Sequence, residues 1–407
     1  MFDINKIRSY FPMLKVKMQK KNLIFFDNAA TTFKPISVVK EIEKYYLKQT
    51  SNANRGDYDL CFNVNKTIDN TRNLVAKFIN SKKNEIIFTS GTTMAINLIA
   101  FCYAIHFLNQ DDEILITEAE HASNVLPWFN IAKIKKIKIK FIPLTKEGKL
   151  TLENVKKTVS NNTKIIAIAA ITNVLGFVVP IKEITDFAHS KNIIVACDGA
   201  QYVPHKKIDV KKLGIDFLSF SAHKMCGPTG IGVLYGKNKI LKKMKPLITG
   251  GGMNDNFDKN GNIVYFEHPE KFEAGTLNIS GIFGLKAAIE FLMKIGMKNI
   301  EKYEKSLRDY AIKKMKKNND LIIYNPNAES SIITFNKKNV FAQDEATFLN
   351  SKGIAVRSGK HCAKMLEKKL KTSDTLRVSF YFYNTKKEID IFIKALKQKD
   401  FLNVYYS

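Results

Sequence analysis

The order of apolar runs predicts an α/β fold: a mostly parallel sheet with helices on both faces, followed by a smaller α/β domain. Short runs rich in Ile, Val, Leu and Phe at 85–89, 112–117, 139–144, 164–171, 192–198 and 216–221 alternate with stretches of helical period such as 94–108 and 181–191. Strands that read as continuous apolar runs are buried on both faces, as parallel strands joined by crossover helices must be. The pattern then changes between Gly250 and Thr276, where Asn260-Gly261 precedes the alternating run 262–268, a strong hairpin signal. Beyond a helical stretch at 281–296 the chain becomes more charged, and strands such as 330–335 again alternate with helices. The expected organisation is an N-terminal segment 1–20 packed on the small domain, a large domain 21–294 and a small domain 295–407.

Composition narrows the function classes. Hydrophobic residues are 45% and charged residues 25% of 407, ordinary for a globular protein and unlike a disordered one. The longest apolar runs are about half of what a bilayer crossing needs, so no membrane span is expected. The N-terminus mixes acidic and basic residues without the plan of a signal peptide, and the five cysteines show no CxxC spacing. A reducing, cytoplasmic setting follows, with neither a disulfide framework nor a metal site indicated. The formal charge of +27 permits a basic nucleic-acid-binding protein, a rival of a different class. The lysines are spread along the whole chain, as a general substitution bias toward lysine would leave them, and the short clusters 131–140 and 313–319 lack aromatic interleaving, which favours solvated faces.

Three segments carry chemistry. Ser90-Gly91-Thr92-Thr93 lies between a strand and a helix, where free N–H groups and hydroxyls suit a phosphate and equally suit a plain helix cap. Asp198 ends an apolar strand, where a carboxylate points into the ligand crevice of an open α/β sheet or caps a helix. Ser221, His223 and Lys224 follow another strand and precede a glycine-rich stretch. A lysine in apolar surroundings loses part of its proton affinity and can form a Schiff base. One cofactor explains a phosphate cup, an aspartate for a pyridine nitrogen and Ser-x-His-Lys together, and it is pyridoxal 5'-phosphate.

The stretches 25–35 (FFDNAATTFKP), 88–100, 120–128, 172–181, 197–205, 216–237 (DFLSFSAHKMCGPTGIGVLYGK), 272–281, 353–363 (GIAVRSGKHCA) and 376–390 make the sequence resemble a group II cysteine desulfurase of the SUF type (SufS-like). That group lies within the class V aminotransferase family of PLP-dependent enzymes. The resemblance implies the fold-type I PLP-dependent transferase (aspartate aminotransferase-like) fold and a homodimer. It implies that Lys224 is the Schiff-base lysine, Asp198 pairs with the pyridine nitrogen, Gln201 bonds the ring hydroxyl oxygen and His121 stacks on the ring and carries a proton. Thr93, Ser221, His223 and the backbone at Thr92 would hold the phosphate, Thr276 would reach in from the partner subunit, and Asn173 and Arg377 would bind the substrate carboxylate.

Among the cysteines, Cys61, Cys102 and Cys197 lie in apolar or mixed elements and read as packing, as does Cys226 beside the cofactor lysine. Cys362 sits in a basic loop, where Arg357, Lys360, His361 and Lys364 are expected to favour its thiolate, and it is the nucleophile candidate. The implied reaction converts L-cysteine to L-alanine and leaves the sulfur on Cys362 as a persulfide. An acceptor protein of the SufE or SufU type, docking near the Cys362 loop, would receive it for iron-sulfur cluster assembly. Selenocysteine lyase, with L-selenocysteine as substrate, desulfinase and plain aminotransferase are the rivals on the same scaffold. Asn54 and Tyr58 around Arg55-Gly56, Met94, Ala122, Leu277 and Lys360 depart from the commonest family pattern, and none of them removes a cofactor contact.

Overall fold

The computed structural model describes residues 2–54 and 56–398. Arg55, whose neighbourhood departs from the family pattern, and the last residues of the expected small domain lie outside the described residues.

The core is a seven-stranded sheet. Its strands in chain order are β1 (Ile86–Thr89), β2 (Glu113–Thr117), β3 (Lys138–Ile142), β4 (Thr163–Ala169), β5 (Ile194–Asp198), β6 (Phe217–Ser221) and β7 (Gly232–Gly236). They lie in the spatial order β1-β7-β6-β5-β4-β2-β3, with β7 antiparallel to both neighbours and the other pairings parallel. Ile114, Leu115, Ile165, Ile166, Val195, Phe217 and Leu218 are fully buried, because helices cover both faces. Strand β7 is absent from the expectations: GVLYG reads as part of a glycine-rich turn, yet Val233, Leu234 and Tyr235 are buried. Its first glycine has a steric purpose. A Cβ on Gly232 would come within 2.5 Å of the Gly91 Cα, so the loop before Thr92 can lie against β7 only because Gly232 lacks a side chain.

The expected helix at 94–108 starts at Thr92 and passes through a π turn, Ile99–Ala104, before ending at Phe107. The expected hairpin is present: Asn254–Phe257 pairs antiparallel with Ile263–Tyr265, turning at Gly261. Alternation usually marks a strand with one covered face, but here Phe257 is 70% and Val264 55% exposed in the single chain.

Toward the C-terminus a four-stranded antiparallel sheet comprises β8 (Leu321–Ile323), β9 (Ile332–Lys337), β10 (Arg357–Gly359) and β11 (Thr375–Ser379), in the order β8-β9-β11-β10. Two links bring it to the mouth of the large sheet. Ile24–Phe25 pairs in parallel with Ile354–Ala355, and Asp27 bridges to Ser379. Near the N-terminus, Phe11 packs edge-on against Phe291 and Phe382, and Arg8 pairs with Glu388. No helix among the described residues is long and apolar enough to cross a membrane.

Candidate active site

The parallel strands end together on one side of the sheet, and a cavity of about 200 Å³ opens there. Thr92, Thr93, His121, Asn173, Asp198, Gln201, Ser221, His223, Lys224 and Arg377, all expected from the sequence, line it. Arg357 and His361 also line it. Sequence reasoning placed both beside Cys362 and did not place them in the cavity. Thr276 does not line it: the residue is exposed, with its hydroxyl 3.4 Å from the Asn52 Oδ1.

The cup at the start of the helix that begins at Thr92 is closed from across the sheet. Ser221 at the end of β6 accepts from the Thr92 N–H at 2.8 Å, and its Oγ lies 2.8 Å from the Thr92 hydroxyl. Thr93 meets Ser123 at 2.8 Å. Asp198 at the end of β5 is 6% exposed, and one of its oxygens accepts from the Ala200 N–H at 2.9 Å. Burial holds its carboxyl above the usual range, partly offset by that N–H and by Lys224.

Lys224 follows β6 on the turn Ala222–Lys224. Burial pushes its ammonium down to about 8, with Arg377 and Arg357 adding repulsion and Asp198 opposing. The carbonyl of His223, in the peptide that carries Lys224, accepts from the Thr32 N–H at 3.0 Å and from the Thr31 and Thr32 hydroxyls at 3.1 and 3.2 Å. That segment, 25–35, therefore fixes the lysine from outside the sheet.

His121 Nδ1 accepts from the Ser123 N–H at 3.1 Å, which leaves the proton of the neutral ring on Nε2. Burial and then the charges of Lys224, Arg357 and Arg377 push this imidazole down to about 4, and His223 goes the same way, by burial first and then Lys224 and Lys34. Glu120, just before His121, opens the stretch 120–128, and sequence reasoning assigns it no role there. It accepts from Thr117 and Asn124 at 2.8 Å each, and burial pushes it up to about 8, leaving it largely an uncharged acid at neutral pH.

Arg377, on β11, donates from Nη1 to the Asn173 carbonyl at 2.9 Å and pairs through Nη2 with Asp27 at 3.0 Å. Cys362 is the exposed cysteine; the other four are buried, and all five are free. Its Sγ is 3.8 Å from Arg357 Nη2, a contact that brings the thiol to the cavity rim. The expected basic surroundings need correction. His361 is 3% exposed, its ring is bonded to Thr375, and burial followed by Arg377 and Arg357 pushes it down to about 3. It is neutral and supplies no charge. Lys360 is taken up by Glu367 at 2.7 Å. Of these cations, Arg357 is the one with a recorded contact to the thiol. Cys226 is buried and pushed up to about 12, as packing requires.

The donor set fits pyridoxal 5'-phosphate. The hydroxyls of Thr92, Thr93 and Ser221, the Asp198 carboxyl and the Lys224 amine line one cavity, the three kinds of group that its phosphate, ring nitrogen and aldehyde call for. One buried polar atom lacking a partner points the same way: Gln201 Oε1 has none, a cost that the proton of a bound ring hydroxyl removes.

The chain belongs to the class-V aminotransferase family, whose model matches residues 24–392. Relatives that it resembles over nearly its whole length are named probable cysteine desulfurases. A probable cysteine desulfurase of Halalkalibacterium halodurans is 45% identical over 397 residues, covering 97% of this chain and 98% of the relative. One of Staphylococcus aureus is 44% identical over 406 residues, covering 99% and 98%. The solved Escherichia coli cysteine desulfurase CsdA, in an S-sulfonic acid form, superposes with a TM-score of 0.90 at 34% identity, covering 97% of this chain and 98% of that one. The apo cysteine desulfurase of Thermococcus onnurineus NA1 also gives 0.90 at 34% identity, covering 95% and 97%.

Proposed function

We propose that this chain converts L-cysteine to L-alanine, takes the sulfur on Cys362 as a persulfide, and passes it to an acceptor protein of the SufE or SufU type for iron-sulfur cluster assembly. The cofactor is pyridoxal 5'-phosphate, the working form is a homodimer, and the compartment is the cytoplasm. The observation that carries this reading is an exposed thiol held 3.8 Å from an arginine that lines the same cavity as Lys224 and Asp198. Five free cysteines suit a reducing compartment. The exposed apolar hairpin suits a subunit contact that would bring Thr276 to the partner's site.

When bound, the cofactor supplies an electron-withdrawing ring that stabilises the electron pair left on the substrate α-carbon. Thr92, Thr93, Ser221 and His223 would hold its phosphate, Asp198 its ring nitrogen and Gln201 its ring oxygen, and His121 would stack on the ring. Arg377 offers a planar fork to the substrate carboxylate, and Asn173 adds an N–H. A Lys224 amine with its affinity lowered to about 8 is partly uncharged at neutral pH and can accept the α-proton. Cys362, as thiolate, attacks the substrate sulfur. A sulfur–sulfur bond forms and the carbon–sulfur bond breaks, the electron pair remaining on the carbon, which takes up a proton on the way to alanine. The neutral His121, with its proton on Nε2, is the nearby ring able to move that proton. The Cys362→Ala holoenzyme tests the reading: it should keep its cofactor absorbance and lose alanine formation from cysteine, and undiminished alanine formation would refute it.

A further inference from the structure

His361 and Cys362 both lie in the left-handed region, with φ of 50° and 57°. Residues with a Cβ avoid that region because the side chain crowds the following carbonyl, and two in succession persist only where neighbours hold them. The turn has three holders. The Asn173 side-chain Nδ2 donates to the His361 carbonyl at 2.8 Å. The Ala122 N–H donates to the Cys362 carbonyl at 2.8 Å. The His361 ring is fastened to Thr375 at 3.0 Å. One result is that the two side chains separate, His361 turning inward and Cys362 outward beside Arg357.

Asn173 is itself well placed to hold the turn. It is 6% exposed, and its own carbonyl is gripped by Arg377, which is in turn tied to Asp27. The carboxamide orientation is forced, because the flipped amide would set Oδ1 against the His361 carbonyl, two acceptors facing each other. A carboxamide nitrogen has two N–H groups. One is spent on His361, so a carboxylate lying on Arg377 can take the other without releasing the turn.

We propose that Asn173 is a positioning residue for the nucleophile: its carboxamide holds the left-handed His361–Cys362 turn while binding substrate, so that substrate and thiol are set by one side chain. The inference deepens the function proposed above and rests on Cys362 being the nucleophile. In the holoenzyme without cysteine, Asn173→Ala should raise amide hydrogen exchange across 360–364 by about tenfold and leave the central sheet unchanged. At saturating cysteine, single-turnover persulfide formation should slow by at least about tenfold. A side chain that only binds substrate would raise KM and leave both readouts where they were, and that result would overturn the proposal. Asn173→Asp, of nearly the same volume, puts an acceptor against the His361 carbonyl and should reproduce both effects if the alanine variant does not fold. Absence of persulfide in the unaltered enzyme would instead refute the role of Cys362, and the exchange comparison would still decide whether Asn173 holds the turn.

Discussion

Replacing Lys224 by methionine should stabilise the chain freed of cofactor, by an amount that depends on pH in a defined direction. The amine titrates near 10.5 when solvated and is pushed down to about 8 in the fold, chiefly by burial. Below about pH 8 both folded and unfolded chains carry the proton, so the full penalty of the buried charge applies, about 3 kcal/mol for a shift of this size. As pH rises from about 8 to about 10.5 the folded chain has already released the proton while the unfolded chain still binds it, so stability rises with pH. By about pH 9.5, roughly 2 of those 3 kcal/mol are recovered. Some residual contact of the side chain with solvent makes these figures upper bounds. The assay is urea unfolding of the cofactor-free protein and of Lys224→Met at both pH values. Groups remote from Lys224 titrate alike in the two chains, so the change with pH in their stability difference reports this amine together with its coupling to Asp198, His121 and His223. The variant should be the more stable near pH 7, with its advantage shrinking toward pH 9.5. A difference that does not change with pH would refute the assignment of a buried, weakened ammonium.

Further outcomes follow from other parts of the molecule. Arg72 and Glu273 form a buried two-point pair at 2.7 and 2.8 Å, so Glu273→Ala should cost about 3–5 kcal/mol by stranding the guanidinium, read as a large fall in Tm. A fall equivalent to less than about 1 kcal/mol would contradict this. Iodoacetamide applied to the native protein should modify Cys362 and spare Cys61, Cys102, Cys197 and Cys226, which are buried; Cys102 and Cys226 are also pushed up to about 12. Peptide mapping checks this, and labelling of Cys226 at a comparable rate would contradict it. If the hairpin makes the subunit contact of the proposed homodimer, the double change Phe257→Asp and Val264→Asp should lower the sedimentation coefficient to that of a monomer without unfolding the chain, since both side chains are exposed on the hairpin. An unaltered sedimentation coefficient would remove the hairpin from the subunit contact.

The parallel core was legible because its strands read as continuous apolar runs, two of which end in polar residues, Asp198 and the Ser221-to-Lys224 turn. Strand β7 was not, because GVLYG is short and framed by glycines that read locally as a turn; its pairing with β1 and β6 is what extends it. The π turn at Ile99–Ala104 leaves no mark in periodicity. The basic loop around Cys362 was legible as chemistry and misread as geometry. Neighbours in sequence share a loop, but two left-handed residues send their side chains opposite ways, so His361 is buried and neutral while Cys362 is exposed. The contacts that set the site, Asn173 with His361 and Arg377 with Asp27, join residues 188 and 350 positions apart, and no local pattern encodes them.

The most direct measurement is a single turnover of the holoenzyme with sulfur-labelled L-cysteine, without reductant or acceptor, followed by peptide mapping and alanine assay. Label on the peptide containing Cys362, equal in amount to the alanine formed, is the predicted result. Alanine formed with no label on that peptide, or label on another cysteine, would contradict the account.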